Sequence, residues 1–146
     1  MGRKSLGEIM NNIGIGIDLI IKKENKILLG KLSKKWRTVE GEYGLPGGDI
    51  EFGETLQKAV ERNLKKELGM KLKSFKIISV NSNFWLNNHY INIGVLADAE
   101  GLEKLENKED WKEWKWFDLN NLPEKLCPPA KLTLKSFLEN RISVSN

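Results

Sequence analysis

Apolar positions along the chain recur with two periods, and the switches between them lay out the elements. Residues 13–21 (IGIGIDLII) alternate and then run apolar, which predicts a strand. Gly14 and Gly16 leave one face of it bare, so another segment is expected to approach closely there. A polar turn at 22–26 and an apolar return at 27–30 predict a hairpin. Residues 31–44 are polar and irregular, with Trp36, Arg37 and Tyr43 interleaved, and read as a long surface loop of the kind that carries function. Leu45-Pro46-Gly47-Gly48 is the sharpest punctuation in the chain. Beyond it Leu56, Ala59, Val60, Leu64 and Leu68 fall on one helical face and Gly69 supplies a stop, which predicts a helix over 55–68. Residues 75–80 and 90–97 predict strands, separated by the polar-aromatic stretch 81–89. After a charged loop at 98–113, residues 114–117 alternate as a short strand, and 129–142 have the period of a second amphipathic helix.

This order predicts an α/β fold, a mixed β-sheet sandwiched between α-helices. A chain of 146 residues suits one domain over 1–146, with its core at about 13–138. No apolar run reaches the ~18 residues of a bilayer span, and the first twelve residues lack the apolar core of a signal peptide, so a cytoplasmic protein with no membrane partner is expected. The lone Cys127, beside Pro128 and Pro129, fits that compartment and reads as structural. The net charge of +4 is modest and the lysines are dispersed, which argues against a nucleic-acid partner and suits a small phosphate-rich ligand.

Chemistry concentrates at residues 47–70. Two glycines after a proline allow a sharp turn with carbonyls free for a ligand. On the helix, Arg62, Asn63, Lys66 and Glu67 stand one, three and four positions apart, opposite the apolar stripe, so their side chains converge. Glu54 lies two turns before Arg62, in reach of a carboxylate–guanidinium pair. A hard cation such as Mg²⁺ needs oxygen ligands, one or two carboxylates with substrate phosphates, and Glu67 with a Gly47 carbonyl would serve. The spacing by itself fits a solvated surface helix equally well.

The spacing is not alone. Gly48, five residues, Glu54, seven residues, Arg62, then Leu64, Glu67, Gly69 and Met70 resemble the Nudix box, G-x5-E-x7-R-E-U-x-E-E-x-G-U, where U is a bulky aliphatic. Leu28-Leu29-Gly30-Lys31, Leu45-Pro46, Trp114-x-Trp116-Phe117 and Leu122-Pro123 are also similar to that family, so the resemblance covers roughly 13–138. It implies a Nudix fold and water attack on a diphosphate linkage, assisted by Mg²⁺ or Mn²⁺. Many relatives are dimers, and assembly into a homodimer stays open.

Two glutamates of the box are missing. The pattern puts Glu at 63 and 66, where this chain has Asn63 and Lys66. Lys66 would repel a cation, so one metal is expected rather than two or three, with Lys66 stabilising phosphate charge instead. The same two losses mark the GDP-mannose mannosyl hydrolases, which Asp18 and His89-Tyr90 also echo, and in which water attacks the sugar carbon with a loop histidine as base. The comparable loop here, 107–114, has no histidine, leaving Glu109 or Asp110 for that role. The stretch G-x-x-E-x-G-E-T at 48–55 instead resembles the MutT-like nucleoside triphosphate diphosphatases, whose loop acid ahead of the W-x-W-F strand serves as metal ligand or base.

The expected function is hydrolysis of a nucleoside triphosphate or another nucleoside diphosphate-X compound. Alternatives are a sugar-nucleotide glycosyl hydrolase and a weakened, nucleotide-binding member. Glu67, Arg62, Glu54, Lys66, Glu109 and Asp110 are the expected catalytic residues, and Gly47, Glu67 and Glu109 the metal ligands. Asp18, an acid among apolar neighbours, and His89, the single histidine, are candidates to touch substrate, with Trp36, Arg37, Tyr43 and Phe84 from the loops.

Overall fold

The computed structural model describes residues 12–37 and 41–145. The reading of the extreme N-terminus, and part of the loop at 31–44, therefore lie outside the described residues.

Strand β1 (Ile13–Ile20) is followed by β2 (Lys22–Lys23), β3 (Lys26–Leu32), β4 (Tyr43–Gly44) and β5 (Gly47–Asp49). Helix α1 (Leu56–Leu68) leads into β6 (Lys71–Trp85), β7 (Asn88–Glu100), β8 (Trp111–Asp118) and helix α2 (Pro128–Glu139). The strands form two four-stranded sheets rather than one. The first has the order β5-β1-β7-β6, and in the second β3 pairs with β2, β4 and β8. The first sheet is mixed, with β1 parallel to β7 and the other pairs antiparallel.

The expected hairpin is shorter than the pattern suggested. β1 pairs with β5 and β7, and only Lys22 and Lys23 turn back on Lys26 and Ile27. An alternating strand seeks any apolar-faced neighbour, and β7 supplies eight residue pairs against the two of the local turn. The bare face of β1 is filled by side chains: a Cβ at Gly14 would lie 2.6 Å from the Tyr90 ring, and one at Gly16 3.2 Å from the Asn92 amide.

Apolar burial fixes the layers. Ala59, Val60, Leu64 and Leu68 of α1 pack on Ile17, Leu19 and Val95 of the first sheet. Ala130 and Leu134 of α2 pack with Ile20, Ile27, Leu29 and Trp111, tying the opposite face of β1 to the second sheet. The first sheet thus lies between the two helices, and the second sheet contributes to both cores, Leu28 to that of α1 and Ile27 and Leu29 to that of α2. Among the described residues no helix is long and apolar enough to cross a membrane.

The stretch 81–89 belongs to strands and a tight turn. β6 runs on to Trp85, Leu86 and Asn87 turn with positive φ of 52° and 64°, and β7 starts at Asn88. The hydrophobic pattern hid this because the inward positions there are polar: Asn81 and Asn83 are buried.

Candidate active site

The helix predicted over 55–68 is capped at both ends as its sequence dictates. Thr55 is the N-cap, its hydroxyl accepting from the Lys58 N–H, and Gly69 closes the helix at φ 65°. Ahead of it, Gly47 holds φ 151°, and a Cβ there would lie 1.9 Å from the Ile17 carbonyl oxygen. Only glycine lets β5 lie this close to β1.

Arg62 makes the pair with Glu54 expected from the sequence. Its Nε donates to Glu54 Oε2 at 2.6 Å and its Nη2 to Glu54 Oε1 at 2.9 Å, while Nη2 also reaches the Asp49 carbonyl at 2.7 Å. Glu54 further accepts the Glu51 N–H at 2.9 Å, and these donors push its carboxyl pKa down to about 2. The pair fastens the glycine turn to α1. Asn63 adds to this, donating from Nδ2 to the Asp49 carbonyl at 3.1 Å and to Ala59 at 3.0 Å. Both Asn63 and Glu67 are buried, while Lys66 on the same face is exposed, so the face opposite the apolar stripe is covered in part and is not the wholly solvated one that the spacing alone allowed. The β5 turn and the Trp111 side chain lie over it.

A cavity of about 350 Å³ opens beside this turn, bounded by β1, β5, the β6–β7 hairpin and the start of β8. Glu67, Lys66, Gly47, Asp18, Trp36 and Asp110 all line it, so six of the expected residues meet in one place. Glu67 accepts from Trp111 Nε1 at 3.1 Å on one oxygen and from Asn107 Nδ2 at 2.8 Å on the other. Burial raises its carboxyl pKa above the usual range, opposed by these two donors and reinforced by the nearby Asp110 charge. Asn107 Nδ2 also donates to Asp110 Oδ2 at 2.8 Å, so one amide spans both carboxylates. Asp110 Oδ1 accepts from Trp36 Nε1 at 2.6 Å.

These groups fit one hard cation. Glu67 and Asp110 face a shared amide beside the Gly47–Gly48 backbone, all oxygen donors, and Mg²⁺ takes one or two carboxylates with phosphate oxygens completing the set. Among the described residues no group of three or more acidic, histidine or cysteine side chains is placed to hold a metal ion by itself.

Asp18 is buried in another wall. Its Oδ2 accepts from Thr133 Oγ1 at 2.7 Å and its Oδ1 from Asn92 Nδ2 at 3.5 Å. Burial outweighs both bonds and pushes its pKa up to about 6. Cys127 lines the cavity nearby as a buried thiol, its pKa pushed up to about 12 chiefly by burial and also by the Asp18 charge.

The other expected residues lie elsewhere. Glu109 accepts from Lys35 Nζ at 2.8 Å with its side chain 76% exposed, so of the two loop acids only Asp110 reaches the cavity. Arg37 stands 3.8 Å from Glu42, and Tyr43 packs edge-on against Phe117 at 5.1 Å. Phe84 and His89 stack at 4.3 Å on the outer face of the hairpin, since Asn83 and Trp85 on either side of Phe84 turn into the cavity. Asn107, Trp111, Asn92 and Thr133 escaped the sequence reading. Asn107, three residues before Asp110, carried the one local hint, because an Asx side chain at that spacing commonly bonds the following turn.

The chain belongs to the NUDIX family: the NUDIX domain model matches residues 10–139. An ADP-ribose pyrophosphatase from Methanocaldococcus jannaschii is 40% identical over 112 residues, covering 75% of this chain and 64% of that protein. The NAD-capped RNA hydrolase NudC of Vibrio atlanticus is 27% identical over 126 residues, 86% of this chain and 44% of that one. The chain thus spans less than two thirds of the length of these curated relatives. Among solved structures, a MutT NUDIX hydrolase from Burkholderia pseudomallei superposes with a TM-score of 0.77 at 25% identity, covering 86% of this chain and 98% of that one. A MutT protein from Methanosarcina mazei Go1 gives 0.69 at 23% identity over 88% and 95% of the two chains, a likeness of fold.

Proposed function

We propose that the chain hydrolyses a nucleoside diphosphate linked to a second group, using one divalent cation, Mg²⁺ or Mn²⁺. The observation that carries this reading is the cavity that brings Glu67 and Asp110, joined to each other by the single Asn107 amide, together with Gly47 and Lys66. Glu67, the Gly47 carbonyl and the substrate phosphates would hold the cation, which supplies Lewis-acid polarisation of the diphosphate. Arg62, bound to Glu54, fixes the turn and helix instead of touching substrate. Asp110 takes the proton of the attacking water, a task for which Glu109 is poorly placed because its side chain is 76% exposed and does not line the cavity. Lys66 offsets phosphate charge where the family box carries a glutamate. Its 40% identity to the Methanocaldococcus protein makes ADP-ribose the first substrate to try.

The test is a panel of ADP-ribose, nucleoside triphosphates and sugar nucleotides with Mg²⁺ or Mn²⁺ in ¹⁸O-water, read by mass spectrometry. Label in a phosphate product supports the proposal, and loss of at least ~100-fold in Glu67→Gln ties the activity to this site. Label in the sugar would move the chain to glycosyl hydrolysis. Binding of nucleotides with no turnover under either metal would overturn the hydrolase reading.

A further inference from the structure

Three buried side-chain atoms among the described residues have no hydrogen-bond partner: Ser79 Oγ, Asn83 Oδ1 and Trp85 Nε1. Ser79 Oγ is sealed in packing, since a Cβ added at Gly94 would lie 2.1 Å from it. The other two residues line the cavity from alternate positions of β6, on one face of the strand. Asn83 is only 6% exposed. An orphaned polar atom in a buried wall is costly and demands an explanation, and a wall open to a cavity suggests a ligand that completes the bond.

Neighbours set which atom of Asn83 is free. Its Nδ2 donates to Asn92 Oδ1, and Asn92 Nδ2 donates in turn to Asp18 Oδ1 at 3.5 Å. Thr133 Oγ1 anchors the far oxygen of Asp18 at 2.7 Å. The run of bonds ends at a side chain that accepts, so Asn83 is left presenting its acceptor, Oδ1. An indole N–H can only donate. The wall therefore holds one unpaired acceptor and one unpaired donor on the same strand face, both buried.

We infer that Asn83 Oδ1 and Trp85 Nε1 form a specificity subsite for the amino-bearing edge of a purine base, of the adenine type. The exocyclic amino group donates to Asn83, and a ring nitrogen accepts from Trp85. A planar ring is favoured over a sugar hydroxyl because the same wall carries the Trp85 and Tyr90 rings and Leu86, which suit a flat apolar face. The inference rests on the reading that this cavity takes a nucleotide, and names the part of the nucleotide that it selects.

The experiment compares ADP with purine riboside 5′-diphosphate, identical but for the amino group, by titration calorimetry with and without Mg²⁺. Wild type binds ADP tighter by about tenfold or more, the loss expected when a buried acceptor is left unpaired. In Asn83→Leu that preference falls to about one. In Trp85→Phe both ligands weaken together and the preference survives, and unchanged affinities there overturn the Trp85 bond. Asn83→Ala, which removes the same acceptor with a smaller side chain, decides the Asn83 bond where Asn83→Leu fails to fold. Equal affinities in wild type, or a preference kept by Asn83→Leu, overturns the subsite. Preference without any turnover would strike the hydrolase reading alone, and turnover without preference would strike the subsite alone.

Discussion

Asp18→Asn should stabilise the protein, and by an amount the surroundings of Asp18 allow to be worked out. The carboxylate is 7% exposed and its pKa rises from an ordinary 3.8 to about 6, so burial favours its neutral form. Above about pH 6 the group is ionised in both folded and unfolded chains, and the whole burial cost weighs on the fold. Below 3.8 it is protonated in both and the cost is gone. This residue therefore makes the fold more stable as pH falls from about 6 to 3.8. At about 1.4 kcal/mol per tenfold change in proton affinity, the shift corresponds to about 3 kcal/mol at neutral pH. Asparagine keeps the shape, can still accept from Asn92, and can donate to the Thr133 hydroxyl, so little is lost in exchange. A gain of about 3 kcal/mol raises the melting temperature of a chain this size by roughly 6–12 °C. The assay is urea and thermal unfolding of wild type and variant from pH 4 to pH 8. Comparing the two at each pH removes carboxylates with the opposite sign, such as Glu54, which lose stabilisation on acidification. The gap should be largest at pH 8 and close toward pH 4. A variant less stable than wild type at pH 8, or a gap indifferent to pH, would refute the reasoning.

Gly47→Ala should cost more than ~3 kcal/mol, because its Cβ would strike the Ile17 carbonyl oxygen at 1.9 Å and φ 151° strains any other residue. Denaturant melts check this, and near-wild-type stability would contradict the placement of β5. Cys127, with its pKa pushed up to about 12 and 4% exposed, should resist iodoacetamide at pH 8 in the native protein and react fully in denaturant. Mass spectrometry of the alkylated chain measures both, and rapid native labelling would show that the thiol is accessible.

Helix α1 was legible because every local signal agreed: the apolar stripe, Thr55 at its start and Gly69 at its end. The Arg62–Glu54 pair was legible too, since both partners sit eight residues apart on one continuous segment. The cavity walls were harder. β6 reverses its apolar pattern toward its end, where Asn81 and Asn83 face inward, and a polar inward face looks like a loop to any rule that equates burial with hydrophobicity. Asn107 was hidden for another reason. Its role depends on Glu67, forty residues away, and the one local hint, its spacing to Asp110, points to a turn rather than to a carboxylate on another element. Glu109 and Asp110 are adjacent acids of equal promise in sequence, and Lys35 pairs with both; the Trp36 and Asn107 donors reach only Asp110, which lines the cavity while Glu109 stays exposed.

The two departures from the family box are physically unlike one another. Lys66 is exposed at the cavity rim, next to the buried Glu67, so its charge acts on whatever enters. Asn63 is 1% exposed and works as a fastener, donating to the carbonyls of Asp49 and Ala59. A Cβ on Gly48 would stand 2.4 Å from its Oδ1, so side chain and turn are fitted together. An ionised glutamate at that position would have no N–H for either carbonyl and would bring a buried charge against two acceptors. Restoring the box glutamate at 63 is therefore a change of structure as well as of charge, whereas a change at 66 alters charge alone. The chain has also placed an amide at the other side of the site. Asn107 donates to Glu67 and Asp110 together, which offsets the repulsion between two neighbouring carboxylates before any cation arrives. The donor set that remains is smaller than the family pattern, and it is held in place by two asparagines: one fixes the turn, the other the acids.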